Sequence, residues 1–348
     1  SRNTGVVLEG VTSNINAGTI NLNNESVGVL ATSGTTSTIN GTISVGASSS
    51  TKSAIGIVAN VGSNVTVAGT AAVATGNGGI GVYAEGAGTT VTVANTGNIS
   101  VGTDGIYMYS KDATLNFTGN ITANNQIGIV ADGGTINAVG ASAITVQNGG
   151  IGAYVKNAAP SFTGSNIVVQ AGIAETNSNP AKYSVGIYYD GVTAFGAAPI
   201  ITQTGSYTIG MVLNNSTGTT AGGISIGGTG TTNQVGVMAK GNSNLTVAGS
   251  VAVSGGDNNI GVYGENSAIT VNGNIAVAAP GTAAPSGDPM KYSSVGVFMD
   301  KGLYRGTGDI SVGNNSIGIY GKGLSGGSIT QTGTTMTVGN SGVGIYGT

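Results

Sequence analysis

One short phrase recurs along the whole chain: Ile or Val, a glycine, a second Ile or Val, and often a tyrosine. Taking its glycine as an anchor gives fourteen copies from Gly5 to Gly344, among them Gly28, Gly81, Gly105, Gly210 and Gly318, at a mean spacing of 26 residues. Residues 55–85 laid without gaps on residues 235–265 share 16 identities in 31 positions. A fixed period of this length defines one supersecondary unit per repeat, whose apolar face is buried only when neighbours stack on it.

Each repeat holds three short alternating runs rich in Val, Ile and Thr. After the anchor phrase come runs such as Thr90-Val91-Thr92-Val93, then runs such as Asn274-Ile275-Ala276-Val277, bounded by Gly and Asn. Alternation of this kind is the signature of half-buried strands, and Gly and Asn tolerate the positive φ of sharp corners. Three strands and three corners make one triangular coil, and stacking joins the coils into parallel sheets. The expected fold is all-β: a right-handed parallel β-helix (β-solenoid) of about 14 coils of ~25 residues. In each anchor phrase, the residues on either side of the glycine are expected to face inward and the glycine outward. The chain is read as one continuous segment, residues 1–348, with insertions at 171–184 and 279–294. Neither end shows a polar cap, and Ser1-Arg2-Asn3 is not a signal peptide, so it is expected to be a piece of a longer protein.

Composition narrows the chemistry. The 348 residues contain 65 Gly, 23 charged side chains, and no His, Cys or Trp. A glycine share near one in five suggests disorder only alongside high charge; here charge is 7% and mean hydropathy is positive at +0.22, so the chain folds. Without His or Cys there is no Ser-His-Asp or Cys-His nucleophile, no zinc site of the usual kind and no disulfide framework. The net charge of −3 offers no basic surface for phosphates, so nucleic acid is not an expected partner. No apolar run reaches the ~18–20 residues that span a bilayer. No metal and no cofactor are expected.

Equivalent positions of a stacked solenoid form columns. Two after the anchor stands a tyrosine in seven copies: Tyr83, Tyr107, Tyr154, Tyr188, Tyr263, Tyr320 and Tyr346. Phe298 completes four consecutive aromatic rungs with Tyr263, Tyr320 and Tyr346. Such a ladder could stack on sugars or apolar side chains of a partner, or it could be packing, each ring lying flat over the neighbouring glycine column. Four after the anchor stand Glu9, Glu85, Asp132, Lys156, Asp190, Lys240, Glu265, Asp300 and Lys322, which reads as a solvated ladder whose signs mostly compensate.

Two intervals are long, and they end alike: Asn179-Pro180-Ala181-Lys182-Tyr183 and Asp288-Pro289-Met290-Lys291-Tyr292. Insertions on one face of a solenoid are where binding is usually found, although a longer surface loop costs little and is equally compatible with neutral decoration. The candidate binding residues are Glu175, Pro180, Lys182 and Tyr183 in the first loop, Asp288, Pro289, Lys291 and Tyr292 in the second, and the rungs Tyr263, Phe298, Tyr320 and Tyr346. No catalytic residue is proposed.

The phrases Ile80-Gly81-Val82-Tyr83-Ala84-Glu85-Gly86 and Ile317-Gly318-Ile319-Tyr320-Gly321-Lys322-Gly323, joined by Thr-Gly-Asn-Ile turns, resemble the passenger repeats of large monomeric (type Va) autotransporters, closest in flavour to the fusobacterial surface adhesins. That resemblance implies type V secretion and a non-enzymatic monomeric rod displayed outside the bacterial outer membrane. Its partners would be a host-cell protein or glycan, or other bacteria. Zero cysteine fits threading through a barrel. Two alternatives stand beside it: a structural stalk with its adhesive tip elsewhere, and a β-helix polysaccharide lyase or hydrolase.

Overall fold

The computed structural model describes residues 3–16, 18–138, 142–162, 165–195, 199–282, 293–323 and 328–348. The fold is an all-β parallel solenoid of about thirteen turns, three strands to a coil, with a single 3₁₀ turn at Thr96–Asn98 among the described residues. The chain divides into two compact units, Ser1–Ile167 and Val168–Thr348. Each contributes seven first-face strands, from Thr4–Glu9 to Ile151–Lys156 in one and from Ser184–Asp190 to Val343–Gly347 in the other.

Within the first unit, first-face strands pair in parallel and in register, for example Val82 with Ile57 below and Met108 above. The second face stacks likewise, with Val91 between Val65 and Leu115, and on the third face Ile99 pairs with Val73. The second unit repeats the scheme through Val237–Val262–Val297–Ile319. The core is the lumen. It is filled by the residue after the anchor glycine (Val29, Ile57, Val82, Ile129, Val262, Ile319, all 0% exposed), by the alanine two further on and by the inward positions of the other two faces.

Two expectations about the anchor phrase are corrected. The residue before the glycine does not point into the lumen: Val27, Ile55 and Ile80 pack instead against Leu30, Val58 and Tyr83, the column two after the glycine. The glycine itself faces inward. A β-carbon on Gly81 would lie 2.6 Å from Ile99 Cγ2 and 2.6 Å from the Tyr107 carbonyl oxygen above it. The chain turns a corner at this glycine, so two successive residues face the lumen and strict alternation breaks there. Glycine makes room for the third-face side chain within the coil, and the Tyr83 ring packs against the aliphatic cluster of Val27, Ile55 and Val58.

A third correction concerns Gly105. The register pairs Tyr83 with Tyr109 and Glu85 with Lys111, two residues later than an anchor at Gly105 requires. Tyr107 therefore occupies the glycine column, Tyr109 joins the tyrosine column and Lys111 joins the charge column.

Tyr107 marks an interruption of the third face. Strand Ile99–Val101 ends one sheet and strand Ile121–Asn124 begins another. Side chains stitch the break: Tyr107 Oη donates to the Thr122 carbonyl at 2.7 Å, Gln126 Nε2 donates to the Val101 carbonyl at 2.6 Å, and the Asn124 N–H donates to Gln126 Oε1 at 3.2 Å. Buried polar side chains two before the anchor glycine are a recurring feature: Ser26, Ser184, Thr208, Gln234, Asn259, Ser294 and Ser316 are all 0% exposed. They tie corners together, Asn259 Oδ1 accepting from the Gln234 N–H at 2.9 Å and Ser294 Oγ accepting from the Asn259 N–H at 3.2 Å.

Candidate functional site

The first insertion leaves the stack at the corner between the third and first faces and folds back on itself. Ile173 and Lys182 exchange backbone hydrogen bonds at 2.8 and 2.9 Å, and Thr176 and Asn179 do so at 2.9 and 3.2 Å. Both bridges are antiparallel, whereas every strand pairing on the solenoid faces is parallel among the described residues. The Thr176 hydroxyl also accepts from the Asn179 N–H at 3.1 Å, closing a tight turn over Asn177 and Ser178. Glu175, Pro180 and Lys182 are exposed on this hairpin. Tyr183 sits at its base, edge-on to Tyr207 with ring centroids 5.9 Å apart, and the Ser184 hydroxyl donates to the Ala171 carbonyl at 3.2 Å. Partial burial, with Tyr207 and Glu175 nearby, pushes the Tyr183 phenol above its usual pKa. The hairpin thus presents one acid, one base and a proline on a backbone fixed by its own bonds.

Asp288, Pro289, Lys291 and Tyr292 lie outside the described residues. The entry to their loop is held by Asp257, which is 9% exposed: Oδ1 accepts from the Thr282 N–H at 2.9 Å and Oδ2 from the Thr282 hydroxyl. Asp257 escaped sequence reasoning because it stands in no column.

Tyr263, Phe298, Tyr320 and Tyr346 come together as one stack. Their ring centroids are 5.3, 4.8 and 5.2 Å apart, with planes inclined by 13°, 25° and 22°. The spacing is that of neighbouring strands, so each inner ring has both faces covered by other rings. What the stack turns outward is ring edges and phenol oxygens. In the first unit Tyr83 and Tyr109 meet at 5.3 Å.

The charge column pairs along its length. Lys111 meets Glu85 at 2.9 Å, Lys156 meets Asp132 at 3.6 Å and Lys322 meets Asp300 at 3.8 Å. Asn214 Nδ2 donates to Asp190 Oδ1 at 2.8 Å, while the Lys240 ammonium lies 5.5 Å from the centre of the Tyr188 ring. Hydrogen bonding to Lys111 holds the Glu85 carboxyl below the usual range. Glu265 and Asp300 are neighbours in register, and Asp300 is the one that finds a cation. Among the described residues no three Asp or Glu side chains gather as a metal-ligating set.

No protein-family model matches the sequence, and no curated protein is significantly similar to it. Among solved structures it is similar to the crystal structure of the periplasmic alginate epimerase AlgG, at 12% identity and a TM-score of 0.32, covering 98% of this chain and 78% of that one. A likeness at that level carries no inference about activity.

Proposed function

We propose that this chain is a non-enzymatic segment of a bacterial surface adhesin, in which the solenoid is scaffold and the hairpin at 171–184 is the contact element. The observation that carries this reading is the hairpin itself: an excursion from the stack, rigidified by four backbone bonds, with Glu175, Pro180 and Lys182 facing solvent. Ordered loops on a rigid scaffold lose little entropy on binding, which is why such positions serve recognition. The partner class is a host-cell glycoprotein or glycan, or a second bacterium, met outside the cell as the autotransporter resemblance implies.

Against a polysaccharide lyase or hydrolase stands the disposition of the acids. Asp190 and Asp300 are four rungs apart, about 19 Å at the strand spacing, where paired-carboxylate chemistry needs about 5–10 Å; Glu265 and Asp300 are one rung apart, but Lys322 engages Asp300. Glu85, Asp132 and Asp300 are each ion-paired along the column.

The test is replacement of residues 173–182 by Gly-Gly, followed by cell-adhesion and glycan-array measurements with a melting curve as control. Adhesion is expected to fall while the melting temperature stays within a few degrees. Unchanged adhesion would make the segment a stalk.

A further inference from the structure

The third face is interrupted a second time, in the second unit. Strand Ile200–Gln203 is the last of its sheet and strand Ile224–Ile226 the first of the next. The stitching is the same as at the first interruption. Gln234, the counterpart of Gln126, is 0% exposed; its Nε2 donates to the Gly205 carbonyl at 2.7 Å and its Oε1 accepts from the Gly227 N–H at 2.6 Å.

The remaining part of the device differs. At the first break the glycine column carries Tyr107, whose phenol donates to the Thr122 carbonyl. Matching the two coils by their registers places Tyr107 opposite Gly210, Met108 opposite Met211 and Thr122 opposite Ser225. Gly210 has no ring to insert. Gln203 Oε1 and Ile201 Cγ2 stand beside it, 3.0 and 3.3 Å from where a β-carbon would lie, and the second break holds a cavity of about 440 Å³, bordered by Ile200, Ile201 and Gln203 on one strand, Ser225 on the other, Ala221 at the corner before it, and Met211 and Val237. Ile224 and Ile226 turn their backbone groups to the following strand, since the Ile224 N–H donates to the Ser250 carbonyl and the Ile226 carbonyl accepts from the Ser254 N–H. The alternation of a parallel ladder then directs the Ser225 carbonyl into the break, as Thr122 directs its own.

We propose that this cavity is a binding site for a phenol ring, seated between the two strands with its hydroxyl donating to the Ser225 carbonyl. The occupant is argued from within the molecule: where the same break occurs in the first unit, a phenol on the chain itself fills it and makes that bond. Mostly apolar walls, in which Gln203 gives its amide N–H groups to the Thr208 hydroxyl and the Val235 carbonyl, supply the burial that favours an aromatic ring, and one carbonyl supplies the direction that distinguishes a phenol from a plain hydrocarbon. The ring comes either from a small phenolic molecule or from a tyrosine side chain of a partner protein. Ile200, 66% exposed at the rim, would lie against whatever carries it. The proposal is independent of the hairpin reading.

The experiment is titration of the full chain with p-cresol, followed by calorimetry and by hydrogen exchange of the amides at 199–204 and 221–227. One equivalent is expected to bind, with toluene roughly 10-fold weaker or more for want of the hydroxyl. Ala221→Trp, an exposed rim position, should abolish binding without altering the fold. Tyr107→Gly should open the first break and raise the stoichiometry to two; if that variant is unstable, the Ala221→Trp comparison still decides. A blocked pentapeptide with a central tyrosine separates the sources: tighter binding than p-cresol marks a partner protein, equal binding a small phenol. No saturable binding of p-cresol, equal affinity for toluene, or binding indifferent to Ala221→Trp would each overturn the proposal.

Discussion

The phenol oxygen of Tyr107 lies 2.7 Å from the Thr122 carbonyl oxygen, in the same interruption that Gln126 bridges to Val101. A side-chain amide and a phenol here replace the peptide groups of a continuous sheet. The same amide bridge recurs at Gln234. Replacing Gln234 by Leu removes the acceptor for the half-buried Gly227 N–H, at a cost of roughly 1–3 kcal/mol, while the Gly205 carbonyl keeps the Thr208 hydroxyl as a donor. Hydrogen exchange of the Gly227 amide is expected to accelerate while amides of the first unit keep their protection; unchanged exchange at Gly227 would contradict the bridge.

Gly81→Ala tests the inward-facing glycine. Its methyl would meet Ile99 Cγ2 and the Tyr107 carbonyl, each at 2.6 Å, and the backbone oxygen has little room to yield. Overpacking of this kind costs about 1–3 kcal/mol. The variant should melt lower than the parent, and a neutral result would mean that this column faces solvent after all.

Phe298→Ala removes the ring that stacks on Tyr263 below and Tyr320 above. Aromatic pairs contribute about 0.5–1.5 kcal/mol beyond area burial. The expected outcome is a lower melting temperature with adhesion unchanged, because the ring faces are engaged with one another. Loss of adhesion at unchanged stability would instead make the stack a contact surface.

Lys111→Met probes the Glu85 pair through pH. The folded Glu85 carboxyl is held below its unfolded value, so the pair stabilises the chain above the unfolded carboxylate range, about pH 4.3, and that contribution is lost as pH falls through the depressed folded value. The melting temperature of the variant should fall short of the parent at pH 7, with the gap closing in acid. A gap that persists at the lowest pH would assign the effect to the packing of the lysine stem. The pair is solvent-exposed, so the difference is expected to be small and to shrink further in high salt.

The amino-acid pattern alone determined the architecture. A repeat of about 26 residues with three β-branched runs has few ways to bury itself, and columns such as Val29–Ile57–Val82 or Ile275–Ile310 follow from spacing because stacking aligns equivalent positions. The hairpin was legible as an excess of residues at one corner. Three things were decided only by the tertiary structure. The bend at the anchor glycine reversed which neighbour faces the lumen, since alternation holds only along an unbent strand. The register at Tyr107 was set by its packing against the coils on either side, which no single repeat records. The two interruptions of the third face, and with them the cavity between Ile201 and Ser225, depend on how adjacent coils fit. They are properties of the stack, and the same local sequence pattern runs through both paired and unpaired strands.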